Sequence, residues 1–444
     1  WEAFEAALNQ RCLRLYALDQ NRPIIQIDPT VGQSFRQTVE GGLYQYGHAK
    51  QHRGDVPQFK TNVAMLAGVG MLLATLTVPG HMADDGLYLP LIEKVRASLE
   101  GRRGVLWCGD VKMASRTTRA ALAQAQDYYL CPLSRVQMPA DRLAELLQFL
   151  HQGQTSLQTL KRHDQEIAEG FEVAHDLEQE GIEWKERLLV VRSPGHAQRQ
   201  KAHLYKRLEQ ARGALASLNE SKKGRTQPKD EASLRQKVAD ILAQYRVEDL
   251  LEVDLNIQYH TRRIRAYKGK PEREVQIMTY RLEVREHTAQ LAQHTEQLGW
   301  RVYACNVPQE QLSLEAAIAQ YREEYQVERR IRNLKEEVTK LMPVYVHKDT
   351  RVEGLIRWLS LVMKGVAAIE WKVAQGLHAR GEALAGLYAG NPRQSTPRPT
   401  MRKMSAAMKG LRMVWIWIAE AAPPTTIRPN LAPTQHKLIE LMEV

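Results

Sequence analysis

Short apolar runs fill the first third of the chain, stop, and return after Gly299, so any fold must stay continuous across the charged stretch between them. IIQID (24–28), GVLWCGD (104–110) and DYYLCPL (127–133) are brief and rich in branched and aromatic residues, which suits interior strands of a sheet. NVAMLAGVGMLLATLTV (62–78) is too long for one such strand and is divided by Gly68 and Gly70, so it reads as an antiparallel hairpin. Helical signals separate the runs. Asp84 and Asp85 stand where a helix cap belongs, Leu87, Leu91, Val95 and Leu99 follow at helical spacing, and 115–126 reads as a second helix. The order strand, strand, strand, helix, strand, helix, strand specifies an α/β fold, a mixed sheet flanked by helices.

From 135 to 298 the character changes. Leu204, Leu208, Ala211, Leu215 and Leu218 recur in alternating steps of four and three, as in one arm of a helical hairpin. RLLVV (187–191), LLEVDLNIQY (250–259) and YRLEVRE (280–286) read as strands; Val253, Leu255, Ile257 and Tyr259 alternate with polar residues as a half-exposed sheet requires. SKKGRTQPKD (221–230) reads as a loop. GWRVYACNV (299–307) resumes the sheet, and 311–342 is a long helix whose apolar stripe includes Leu314, Ile318, Leu334 and Leu341. A further helix spans 351–387, and NPRQSTPRPT (391–400) links to a tail. The expected division is a first core segment 1–134, an inserted α+β module 135–298, a second core segment 299–390, and a linker and tail 391–444.

Composition narrows the partners. In 444 residues, 62 Lys and Arg against 51 Asp and Glu leave a formal charge of +11, which favours an anionic partner. Cys12, Cys108, Cys131 and Cys305 lie far apart with no C-x-x-C pair, so neither a zinc ribbon nor a disulfide framework is indicated and a reducing, cytoplasmic setting is the default expectation. The longest apolar segment, 62–78, falls short of the roughly 20 residues a membrane span needs. The chain opens Trp-Glu-Ala-Phe without a signal-like pattern, and further residues are expected upstream.

Asp28 and Asp110 fall at the C-terminal ends of their expected strands, the edge where functional side chains gather in α/β sheets. Two carboxylates from neighbouring strands, with a third from a helix, suit hard divalent cations such as Mg²⁺. Taken singly, each acid reads more readily as an ordinary turn residue. The segment YREEYQVERRIRNLK (321–335) sets Tyr321, Glu328 and Lys335 seven residues apart, nearly on one helical face. A carboxylate among Arg329, Arg330, Arg332 and Lys335 stays ionised, and those cations suit phosphates. A solvated helix of mixed charge has the same look.

These residues carry a resemblance. The spacing Tyr, two residues, Arg, three residues, Glu, six residues, Lys marks bacterial insertion-sequence transposases of the DDE type; Tyr321, Glu328 and Lys335 match it, with Glu324 at the Arg place. IDPT (27–30) resembles that family's first-acid strand, YGHAKQHRGDVPQ (46–58) its Tyr-Gly-His-Ser-Lys segment, GDVKMAS (109–115) its second-acid motif, and DYYLCPLS (127–134) the strand that follows. The likeness covers roughly residues 20 to 370, in order, with a long insertion between the second and third acids.

The resemblance implies a ribonuclease H-like catalytic core interrupted by that insertion. It implies a catalytic and metal-holding triad of Asp28, Asp110 and Glu328 with two divalent ions, Mg²⁺ or Mn²⁺, serving phosphodiester cleavage and strand transfer. DNA contacts are expected from Tyr321, Arg332 and Lys335 and from His48, Lys50 and Arg53. The implied partners are double-stranded transposon-end and target DNA and a second copy of the chain, in a bacterial cytoplasm at the nucleoid. The insertion is expected to embrace end DNA or the partner subunit through salt-dependent contacts rather than sequence reading. Two departures stand out: Glu324 replaces a cation, and Pro29 stiffens the turn after the first acid. They motivate a second reading, a DNA-binding relic that keeps the fold without the chemistry.

Overall fold

The computed structural model describes residues 1–15, 22–35, 37–47, 54–162, 164–220, 228, 230–265, 271–323, 329, 346, 348–412, 414–416, 425–427 and 429–442. The chain divides into two compact units, one formed by 1–134, 174–188 and 304–444, the other by 135–173 and 189–303. Residues 174–188, placed by sequence within the insertion, group with the first unit.

The first unit begins with a helix that the sequence reading did not anticipate, α1 (Glu2–Leu15). Strands β1 (Ile24–Gln33), β2 (Gln58–Leu66) and β3 (Met71–Pro79) follow; β2 pairs antiparallel with both of its neighbours, confirming the expected hairpin. Every residue of β2 is buried, which explains why its apolar run shows no alternation with polar residues. A single turn of 3₁₀ helix at Asp85–Leu87 leads into α2 (Tyr88–Ser98). Asp84 does not cap it: its Oδ1 accepts a 2.7 Å bond from Nζ of the buried Lys60, so the expected cap is instead half of an ion pair. Then come β4 (Leu106–Gly109), α3 (Arg116–Gln124) and β5 (Tyr128–Pro132). Ser115 caps α3 by accepting from the Thr118 amide, and both β4 and β5 run parallel to β1.

The second unit opens with α4 (Ala140–His151) and β6 (Gln158–Arg162), the latter pairing antiparallel with the first part of β7 (Gln165–Gln179). β8 (Ile182–Arg192) and α5 (Pro194–Ala216) follow, then α6 (Glu231–Tyr245), which starts with a capping box of Asp230 and Ser233. β9 (Leu251–Ile264) and β10 (Arg273–Glu286) form a two-stranded antiparallel ribbon of fourteen paired positions. The stripe read from sequence on α5 is its buried face: Leu204, Leu208 and Ala211 meet Val247, Leu250 and Leu291, while Leu215 and Leu218 meet Leu234, Val238 and Leu282. α7 (Thr288–Glu296) and β11 (Trp300–Cys305) lead back toward the first unit.

Within the first unit the strand order is β3-β2-β1-β4-β5, continued by the parts of β11, β8 and β7 that belong to it. α8 (Leu314–Arg322) lies against β5; the expected helix to 342 otherwise falls largely outside the described residues. α9 (Asp349–Ala379) covers one sheet face, its Val352, Ile356 and Met363 meeting Phe59, Val63 and Met65. α2 covers the other, its Tyr88, Leu91, Ile92 and Val95 clustering with Ile25, Ile27, Ala64 and Trp107. The alternation is the two-residue period of β1 and β2 at work. Buried Glu5 and Lys364 pair at 2.9 Å and tie α1 to α9.

The C-terminal segment departs from the expected linker and tail. α9 stops at Ala379, short of 387, and the chain turns back: Leu384, Leu387, Met404 of α10 (Met401–Ala407), and Leu438 and Leu441 of α11 (Pro433–Met442) cluster on Val373 and Leu377. Between the last two helices β12 (Val414–Ile416) pairs with β13 (Thr425–Ile427). Among the described residues, no helix is long and apolar enough to cross a membrane.

Candidate active site

β1 runs past Asp28 to Gln33, so the first acid is not at a strand end as its sequence suggested. The reason is asymmetric pairing. On the β2 side the ladder continues from Asp28↔Val63 to Gln33↔Gln58, whereas on the β4 side it stops at Ile27↔Gly109. Asp28 and Asp110 are the residues that follow this last pair, and both act on the same Tyr88 hydroxyl. Both carboxylates are partly exposed, in contrast with the buried residues that precede each of them.

Asp110 is held from two directions. Its Oδ1 accepts a 2.6 Å bond from the Tyr88 hydroxyl and a 2.8 Å bond from the Lys112 amide, and its carbonyl accepts from the Met113 amide. Gly109 permits this tight turn, since a Cβ there would stand 2.7 Å from the Met113 sulfur. Tyr88 is fully buried, and its hydroxyl is pushed far above the ordinary phenol range by burial first, then by the charge and hydrogen bond of Asp110, and then by Asp28 and Asp84. It therefore remains a neutral donor, and both acids contribute to the potential at its oxygen. Sequence reading missed Tyr88 because it sits one position from the Leu87, Leu91, Val95 stripe; only its place at the helix start, opposite an acid-bearing turn, distinguishes it.

The other expected residues distribute unevenly. Tyr321 lies half-buried on α8. Glu328, Arg332 and Lys335, with His48, Lys50 and Arg53, lie outside the described residues. The described start of the latter segment is closely packed: Gln45 and Gln58 form a backbone bridge, and a Cβ on Gly47 would fall 2.1 Å from the Gly80 carbonyl oxygen. Among the described residues no three His, Cys, Asp or Glu side chains converge as a metal site. The two aspartates supply hard oxygen donors of the type Mg²⁺ or Mn²⁺ prefers, so the donor chemistry fits a divalent ion that takes its remaining ligands from solvent, substrate or a third acid.

A second group of ionisable side chains in the first unit is fully engaged in packing. Glu186 on β8, with its side chain 0% exposed, accepts two bonds from Arg119 Nη1 at 2.7 and 2.5 Å and one from the Tyr129 hydroxyl at 2.6 Å, and lies 3.0 Å from His175 Nδ1. The Trp184 indole donates to the same Tyr129 oxygen. Burial alone would raise the Glu186 carboxyl, but the bonds and charges of His175, Arg119 and Tyr129 outweigh it and hold the group below its ordinary value. The network joins α3, β5, β7 and β8. None of its members was singled out from sequence, because Arg119 and Glu186 are 67 positions apart.

The four cysteines are free thiols, three of them buried. No protein-family model matches the chain, and no curated protein matches it in sequence.

Proposed function

We propose that the chain is a DNA transposase of the DDE type with a ribonuclease H-like core. The observation that carries this reading is that Asp28 and Asp110 directly follow the last paired residues of the parallel β1–β4 ladder, within the β3-β2-β1-β4-β5 part of the sheet, where only β2 runs against its neighbours. A mixed sheet flanked by helices, with one acid on β1 and the other directly after the adjacent parallel strand, is compatible with the core that the resemblance implies. The spacing Tyr321, Glu328, Lys335 supplies the proposed third acid and its DNA-contacting companions.

In this reading Asp28, Asp110 and Glu328 hold the cations. When bound, two Mg²⁺ or Mn²⁺ ions supply positive charge at the scissile phosphate and at the attacking and leaving oxygens. Tyr88 and the Lys112 amide fix the rotation of the Asp110 carboxylate, so that one oxygen is committed to them and the other direction is set. The substrate is double-stranded DNA at the element's ends, the products are a freed 3′-hydroxyl and then a strand-transfer joint, and the working form is a dimer on DNA in the bacterial cytoplasm. The test is cleavage of linear DNA carrying the gene's flanking sequences, with Mg²⁺, with Mn²⁺ and with chelator. Asp28→Asn, Asp110→Asn and Glu328→Gln should each abolish cutting; equal cutting by wild type and Asp110→Asn would overturn the reading. The second reading, a DNA-binding relic, rests on Glu324 in place of a cation. Salt-dependent binding with no metal-stimulated cutting in any preparation would favour it.

A further inference from the structure

The +11 surplus is not spread evenly. Residues 256–281 carry seven Lys and Arg against Glu272 and Glu274, nearly half of the chain's excess in 26 positions. These positions are the outer part of the β9–β10 ribbon and its connection.

The register sorts the ribbon into two faces. Val253, Leu255 and Ile257 face the same way as Val284, Leu282 and Tyr280, and this face packs on α5 and α6. The opposite face changes along its length. Near the base, Arg285 is 3.5 Å from Asp254 and 3.6 Å from Glu283, so charge is neutralised there. Beyond them the paired positions are Asn256↔Arg281, Gln258↔Thr279, His260↔Ile277, Arg262↔Val275 and Ile264↔Arg273, without a single acid. All except Val275 are exposed, and Arg262, Arg273 and Arg281 have no acidic partner among the described residues. From Arg281 to Arg273 the face extends about 27 Å at 3.4 Å per residue.

The geometry points to this face as a sequence-reading surface that lies in the major groove of duplex DNA. A two-stranded ribbon fits that groove, which is about 12 Å wide. Arg, Asn and Gln are the side chains that make paired hydrogen bonds to guanine and adenine edges there, and Arg262, Arg273, Arg281, Asn256 and Gln258 all stand on this one face. An acidic protein partner would be met by the same charge, but the amides of Asn256 and Gln258 beside Arg281 suit base edges. This modifies the expectation that the second unit supplies charge alone. It rests on the proposed function only in taking DNA as the ligand.

The experiment is equilibrium binding of the full chain, without divalent metal, to a pool of random duplexes, with selection of the tightest binders and a salt titration on those and on the unselected pool. Wild type should enrich a consensus. Arg262→Thr/Arg273→Thr/Arg281→Thr should lose it and reduce the slope of log K against log salt by about 2.7, so that the affinity lost between 50 and 200 mM salt shrinks by about 40-fold. The triple Lys variant should keep the slope and lose the consensus, since a point charge holds phosphate without the paired bonds to guanine. An unchanged consensus in the Thr variant, or competition by polyglutamate as effective as by duplex, overturns the inference. Because these readouts involve no cutting, they fail separately from the proposed function, which stands or falls on Asp110→Asn.

Discussion

Replacing Arg119 by methionine is the sharpest probe of the first unit's interior. It removes a guanidinium whose side chain is 4% exposed and leaves Glu186, 0% exposed, with Tyr129 and His175 but without its permanent cation. Breaking a buried pair on one side costs about 3–5 kcal/mol, because the remaining charge is desolvated and uncompensated. With a urea dependence near 3 kcal/mol per molar, the unfolding midpoint should fall by about 1–1.7 M. Trp184 is the natural reporter, since its indole donates to the Tyr129 oxygen that in turn donates to Glu186. Adding Glu186→Gln to Arg119→Met removes the stranded charge while keeping an oxygen acceptor for Tyr129. The double variant should therefore be more stable than Arg119→Met alone, with a coupling of about 2 kcal/mol in the cycle. If Arg119→Met lies within about 1 kcal/mol of wild type, or the double variant is no better than the single, the network does not bear on stability as argued.

Three further outcomes follow from the same geometry. Glu186 is held below its ordinary value of 4.5, so its contribution is complete above pH 4.5 and lost as pH falls through the lower folded value; the melting-temperature gap between wild type and Glu186→Gln should be flat above that point and close beneath it. Tyr88→Phe deletes one donor to the Asp110 carboxylate, and on the proposed function a charge-assisted bond of about 1.5 kcal/mol corresponds to a cleavage rate about tenfold lower with little change in DNA affinity. Gly47→Ala forces a Cβ to 2.1 Å from the Gly80 carbonyl oxygen, a backbone contact that cannot turn away, and should cost more in thermal stability than Gly41→Ala, where φ is +71° but nothing lies within 4 Å.

The elements that the sequence revealed are those whose reason is local. The 62–78 run declared itself through its two glycines, and the α5 stripe through its four- and three-residue steps. What escaped was set by distant partners. Asp84 has the chemistry of a cap, but Lys60, 24 positions earlier and buried on β2, claims it. β1 seemed to end at its acid because the apolar run ends there, yet pairing with β2 carries it to Gln33. Residues 391–400 read as a Pro- and Arg-containing linker and the rest as a tail, and the apolar face of α9 with Leu384 and Leu387 gives Met404, Leu438 and Leu441 somewhere to go. For the site, Asp28 and Asp110 were visible as strand-associated acids, whereas Tyr88 acquires its role only when α2 is laid against the end of β4.

The uneven pairing around the two aspartates has a mechanical side. Asp28 is built into a ladder that continues for five more residue pairs, so its backbone has the stiffness of a sheet. Asp110 stands just beyond the last residue of a four-residue strand, its position set by one turn and one tyrosine. Any change in the gap between the two carboxylates is therefore taken up on the Asp110 side: the first acid is the fixed jaw, and the second is the one with room to travel.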